Sequence, residues 1–176
     1  MEAIKREYFP NAKYFFWSDI GSWRGNPALP TRGRWPQEER IVQLDLESRF
    51  SNVLEPQVIL EAISMVPSQR NFNPLRDIFA GIFGGTRESL TWFHDEFYKL
   101  HNERIDKGIF VGKDQTMINI LAMRHPNRFS AILCYTASKS DPWFYFQAFY
   151  MNQDAVDEAG VKGNRHLVSL TKLIPT

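Results

Sequence analysis

Between Trp17 and Arg24 the chain reads Trp-Ser-Asp-Ile-Gly-Ser-Trp-Arg. A carboxylate that follows an aromatic run and precedes a glycine has two physical uses. Asp19 either caps a turn, as Asp beside Gly commonly does, or holds a divalent cation through hard oxygen contacts, with a diphosphate completing the coordination. Arg24 is correspondingly a surface charge or a bidentate partner for phosphate oxygens. A second group lies in Phe79-Ala80-Gly81-Ile82-Phe83-Gly84-Gly85. Gly81 inside an apolar run would let a ligand lie against bare backbone, with Gly84 and Gly85 making a tight exit, or the glycines simply turn the chain into the next helix. A third is Gly112-Lys113-Asp114-Gln115. Here Asp114 is either a helix cap or an acceptor for a substrate hydroxyl, and so a general base, while Lys113 can pair with phosphate. His94 and His101 are two helical turns apart, not at the i, i+4 spacing of a zinc helix, and read as a solvated face.

The elements that must position these groups follow from period and punctuation. Glu2–Tyr8 reads as short helical turns closed by Pro10. Ala12–Trp17 has the length and composition of a buried strand and delivers Asp19 at its end, the place where α/β sheets open onto a crevice. Ser22–Trp35 carries enough Gly and Pro to be a loop. Pro36-Gln37-Glu38-Glu39 resembles a helical first turn, and Ile41–Leu46 is expected to be a strand. Val58–Val66 is compatible with helix or strand, and Pro67–Pro74 with a loop. Asp77–Gly85 reads as a strand. Leu90, Phe93, Phe97 and Leu100 repeat at helical spacing, with Gly108 as the stop. Val111–Arg124 predicts a second helix with Asp114 in its first turn, where the macrodipole favours a carboxylate. Its apolar face is expected from Met117, Ile120, Leu121 and Met123, and Pro126 closes it. Phe129–Tyr135 is a further strand, and Arg165–Ile174 a closing strand or short helix. Strands alternating with helices define a single α/β domain over residues 1–176, a mixed sheet flanked by helices.

Composition excludes several classes. With 21 Lys plus Arg against 20 Asp plus Glu, the net charge of +1 provides no basic field for nucleic acid. The single cysteine, Cys134, excludes an internal disulfide and reads as a small buried hydrophobe. No stretch approaches the roughly 20 apolar residues of a membrane span, and Met1–Glu7 lacks the apolar core of a secretion signal, so the chain reads as cytoplasmic. The 14 Phe, 6 Tyr and 5 Trp supply a bulky core and, at a few positions, rings able to stack on sugars. Trp23 and Trp143 are the candidates for stacking.

Taken in order, Trp-Ser-Asp-Ile-Gly with a following Arg, Phe-Ala-Gly-Ile-Phe-Gly-Gly, an amphipathic helix, Gly-Lys-Asp-Gln-Thr-Met-Ile and His125-Pro126 resemble the HtrL/YibB family, which is related to GT-A-type glycosyltransferases. The resemblance runs from about Tyr14 to about Phe146. It implies a GT-A-like fold in which Asp19 stands where such enzymes hold a manganese ion against a nucleotide-sugar diphosphate. It also implies that Phe79–Gly85 lines the donor or acceptor sugar, and that Asp114 and Gln115 correspond to the acidic element near the reacting sugar. This sequence carries one Asp where the family's Asp-x-Asp element has two. Only 18 residues precede Asp19, fewer than the roughly 30 of one β-α-β unit, so the chain is expected to match the later portion of such a domain, without most of its nucleotide-binding region. The expected activity is transfer of a sugar from a nucleotide-sugar to a glycan or lipid-linked acceptor. The alternative is a non-catalytic carbohydrate-binding or assembly module, with self-association through an open sheet edge.

Overall fold

The computed structural model describes residues 2–19, 35–42, 58–63, 78–135, 150 and 162–172. The described strands form one five-stranded mixed sheet: β1 (Tyr14–Ser18), β2 (Val58–Ile63), β3 (Ile78–Thr86), β4 (Phe129–Tyr135) and β5 (Lys162–Ser169). Their spatial order is β1-β3-β2-β4-β5. β3 is antiparallel to both β1 and β2, β4 runs parallel to β2, and β5 is antiparallel to β4. The carboxyl ends of β1, β2 and β4 therefore lie at the same end of the sheet. The α/β class and the mixed sheet agree with expectation. The two long helices fall together between β3 and β4, as their order in the sequence predicts; these two strands run antiparallel to each other on either side of β2.

Helix α1 (Glu2–Lys5) precedes β1, and α2 (Arg87–Asp106) and α3 (Asp114–Arg124) form the crossover. Thr86 caps α2: its Oγ1 accepts from the Ser89 amide at 3.2 Å, and the Ser89 hydroxyl donates back to the Thr86 carbonyl at 3.0 Å. Gly108, at φ +67°, ends the helix as the sequence predicts. The Arg87 guanidinium holds the amino-terminal segment by donating to the carbonyls of Ile4 (2.7 Å) and Phe9 (3.0 Å), and lies over the Phe15 ring.

Cross-strand partners share a face, so Phe15, Phe83, Phe129 and Ala131 point to one side of the sheet. There they meet Leu90, Phe93 and Leu100 of α2 and Met117, Ile118, Leu121 and Ala122 of α3. Each fully buried large side chain contributes about 1.5–3 kcal/mol of transfer free energy. On the opposite face Ile82 and Ile132 are fully buried, and Phe16 packs edge-on against Trp35 and Tyr150.

Three expectations are corrected. The strand placed over Ile41–Leu46 begins inside a helical segment at residues 38–42, because the Gln37 carbonyl captures the amides of Arg40 (3.1 Å) and Ile41 (3.2 Å). The helix expected from Val111 begins at Asp114. Met123 is 47% exposed while Ile118, Asn119 and Ala122 are buried, since α3 is covered on two sides, by α2 and by the sheet. Val58–Ile63 resolves to a strand, and the closing segment is a strand followed by a 3-10 turn at Leu170–Lys172. Residues 22–34 and 67–74, both expected as loops, lie outside the described residues.

Candidate functional site

Past the end of β1 the pairing with β3 extends to Asp19. The Asp19 amide donates to the Gly81 carbonyl at 2.9 Å, and the Ser18 hydroxyl donates to the Asp19 carbonyl at 3.2 Å. The backbone of Asp19 is thus fixed, while the residue as a whole is exposed at the carboxyl end of the strand. Two sequence candidates, Asp19 and Gly81, become direct cross-strand neighbours.

The sheet is irregular at this level. Leu60 pairs with Phe83 and Glu61 with Phe79, so residues 80–82 of β3 have no partner in β2. A bulge bends a strand and re-aims what it carries. Beyond it, the β4–β5 register slips between Ile132 and Cys134. Next to Asp19, the Trp17 ring stacks on Phe83 (centroids 5.3 Å apart, planes at 19°), and Phe83 leans on Phe93 of α2 at 5.2 Å. Trp17 keeps 43% of its surface exposed, so an aromatic face stands two residues from the carboxylate.

Gly84 has a packing role. A Cβ there would overlap the Phe16 ring and lie 2.7 Å from the Phe15 carbonyl oxygen. Gly85 is buried opposite Phe15, and α3 approaches β3 closely, with Cα atoms within 8 Å. A second backbone is one of the things a strand glycine admits.

Lys113, Asp114 and Gln115 form a separate group at the start of α3. Lys113 occupies the cap position without a capping hydrogen bond from its side chain, and Asp114 Oδ1 accepts from the Gln115 amide at 2.7 Å. Asp114 is exposed and Gln115 half-buried. The preceding Phe110 is 87% exposed and its ring occupies the space a Cβ on Gly112 would need. Sequence reading passed over Phe110, although an aromatic two residues from a glycine was the signal available.

Helix α3 returns along α2. Arg124 donates to Glu103 at 3.1 Å, His125 lies 3.9 Å from Glu96, and its ring meets Trp92 edge-on. Lys107 also donates to Glu103, at 2.8 Å. These two cations hold the Glu103 carboxyl down at about 2, the Arg124 hydrogen bond contributing most. His94 pairs with Asp95 at 2.9 Å and His101 with Asn102 at 3.1 Å, with Tyr98 between the two imidazoles. Both imidazoles are half-buried, less open than the solvated face expected of them. Trp23, Arg24 and Trp143 lie outside the described residues.

Among the described residues no group of three or more His, Cys, Asp or Glu side chains converges to hold a metal ion. Asp19 offers hard oxygen, the donor manganese takes, from a single carboxylate. No helix among the described residues is long and apolar enough to cross a membrane.

The fold and these groups define a mixed α/β domain with an aspartate fixed at the carboxyl rim of its sheet. Compared with protein-family models, curated proteins and solved structures, the chain gives no match.

Proposed function

We propose that the chain is a metal-assisted glycosyltransferase of GT-A-like architecture, or the acceptor-side portion of one. It would transfer a sugar from a nucleotide-sugar to a glycan or lipid-linked acceptor. The supporting observation is the position of Asp19: exposed, held by its own backbone against Gly81, and beside a bulge at the end of the sheet where α/β ligand sites form. In this reading Asp19 and the donor diphosphate hold manganese between them, and the metal supplies Lewis-acid stabilisation of the leaving diphosphate. Arg24 and Lys113 neutralise phosphate oxygens. Gly81 and Gly85 admit close approach along β3, Trp23 and Trp143 stack on sugar, and Asp114 with Gln115 receives the acceptor hydroxyl. Isothermal titration with manganese and UDP-, GDP- and CMP-sugars tests this. The reading requires manganese-dependent heat that Asp19→Ala abolishes, and an identical titration for parent and variant overturns it.

A non-catalytic carbohydrate-binding module is the second reading, favoured by the exposed rings of Trp17 and Phe110. Glycan binding that survives loss of both Asp19 and Asp114 would select it.

A further inference from the structure

The turn that ends α2 sends two hydrophobic residues into water. The Gly108 amide donates to the Ile105 carbonyl and the Ile109 amide to the Arg104 carbonyl, each at 2.8 Å. With Gly108 at φ +67°, this is the helix stop in which the residue after the glycine ordinarily packs on apolar side chains one turn back. Here the residues one turn back are Glu103 and Arg104. Ile109 is left 41% exposed, and Phe110 beside it 87%.

Phe110 is nevertheless held in place. Its ring lies against Gly112, in space that a Cβ there would fill. Two glycines thus serve the display of one phenyl ring, Gly108 by its left-handed turn and Gly112 by its clearance. Val111, between them, packs on the core and anchors the segment. Singly exposed apolar residues are ordinary. A ring and an adjacent isoleucine presented by a fixed turn form a protruding tip.

Charge selects what the tip meets. Lys107-Gly-Ile-Phe-Val-Gly-Lys113 carries an exposed lysine at each end and no carboxylate. Lys107 and Arg124 share Glu103, which leaves that trio with a surplus positive charge. With the flanking Arg104, Asp106, Lys113 and Asp114 included, cations still outnumber carboxylates by one. An apolar point between ammonium groups matches a bilayer interface, where rings and aliphatic chains enter below the phosphates and lysine stems reach back to them.

We propose that residues 107–113 dock the protein on an anionic phospholipid surface, Ile109 and Phe110 inserting between headgroups and Lys107 and Lys113 lying at the phosphates. Asp114 follows Lys113 directly, so docking brings the start of α3 to the membrane. An acceptor met there is lipid-linked; that consequence rests on the transferase reading, and docking does not.

The test is flotation of the full chain with vesicles of phosphatidylcholine, alone or with added phosphatidylserine, in the absence of metal and nucleotide. The parent is expected to float, binding the anionic vesicles about fivefold or more tightly than the neutral ones. Phe110→Ser should lose about tenfold or more in vesicle affinity and unfold at the parent's temperature, since the ring is exposed. Lys107→Gln combined with Lys113→Gln should remove the preference for phosphatidylserine. Phe110→Trp should float like the parent, with brominated-chain lipid quenching it beyond the parent's own tryptophans. A parent that does not float, equal affinity in Phe110→Ser, no preference for anionic vesicles, or no added quenching in Phe110→Trp would each overturn the proposal. A Phe110-dependent dimer in sedimentation, with no flotation, would assign the tip to a second copy of the chain instead. Asp19→Ala should float as the parent does, and flotation without any response to nucleotide-sugars defeats the transferase reading alone.

Discussion

Glu103 of α2 accepts a hydrogen bond from Arg124 of α3 at 3.1 Å, and the same carboxylate takes Lys107 on its other oxygen at 2.8 Å. One anion thus joins the last turns of both crossover helices. Its folded-state carboxyl titrates at about 2 against an ordinary 4.5. A depressed carboxyl stabilises the fold above the unfolded value, and that contribution disappears as pH falls from about 4.5 through about 2. The urea midpoint of Glu103→Gln should therefore change less than the parent's over this window and show less response to salt. Parallel acid limbs for the two proteins would contradict the assignment.

Gly84→Ala should destabilise by about 1–3 kcal/mol, as overpacking does, because the new methyl meets the Phe16 ring and the Phe15 carbonyl. Urea unfolding measures it. In a Phe16→Ala background the same substitution should cost less, since the Cδ1 and Cε1 atoms that collide are gone.

The corrected face of α3 gives a paired comparison. Leu121→Ala, at a position 1% exposed, should cost about 2–5 kcal/mol. Met123→Ala, at 47% exposure, should stay within about 0.5 kcal/mol of the parent. Similar losses at both positions would restore the face that the sequence suggests.

Thr86→Ala removes the oxygen that accepts from the Ser89 amide at the start of α2. The expected cost is about 1 kcal/mol, with Thr86→Ser nearly neutral. Equal stability of all three proteins would mean that the cap contributes nothing.

Asp19→Asn should leave the unfolding temperature close to the parent's, because the residue is exposed and Asn keeps both the main-chain amide that donates to Gly81 and a side-chain oxygen in the same place. The same substitution should remove manganese-dependent nucleotide-sugar binding in titration. Loss of fold with loss of binding would assign the carboxylate to the architecture instead.

The legible parts of the sequence were those with a local signal. β1, β3 and β4 are short apolar runs, and α2 combines a periodic stripe with a cap and a glycine stop, so each emerges within a few residues of its observed bounds. At Ile41 and Val42 the alternation misled because it also satisfies a helical turn, and the Gln37 carbonyl selects the helix there; residues 43–46 lie outside the described residues. The pairing of Asp19 with Gly81 was illegible because register is a relation between distant strands.

Placing β4 beside β2 has a cost in time. The β2–β3 hairpin can zip locally, but the strand that pairs with the other side of β2 arrives only after both crossover helices have been synthesised and folded back. Closure over so long a stretch slows the search for the native state. On a ribosome, β2 would emerge with one margin still bare, a window in which aggregation competes with maturation.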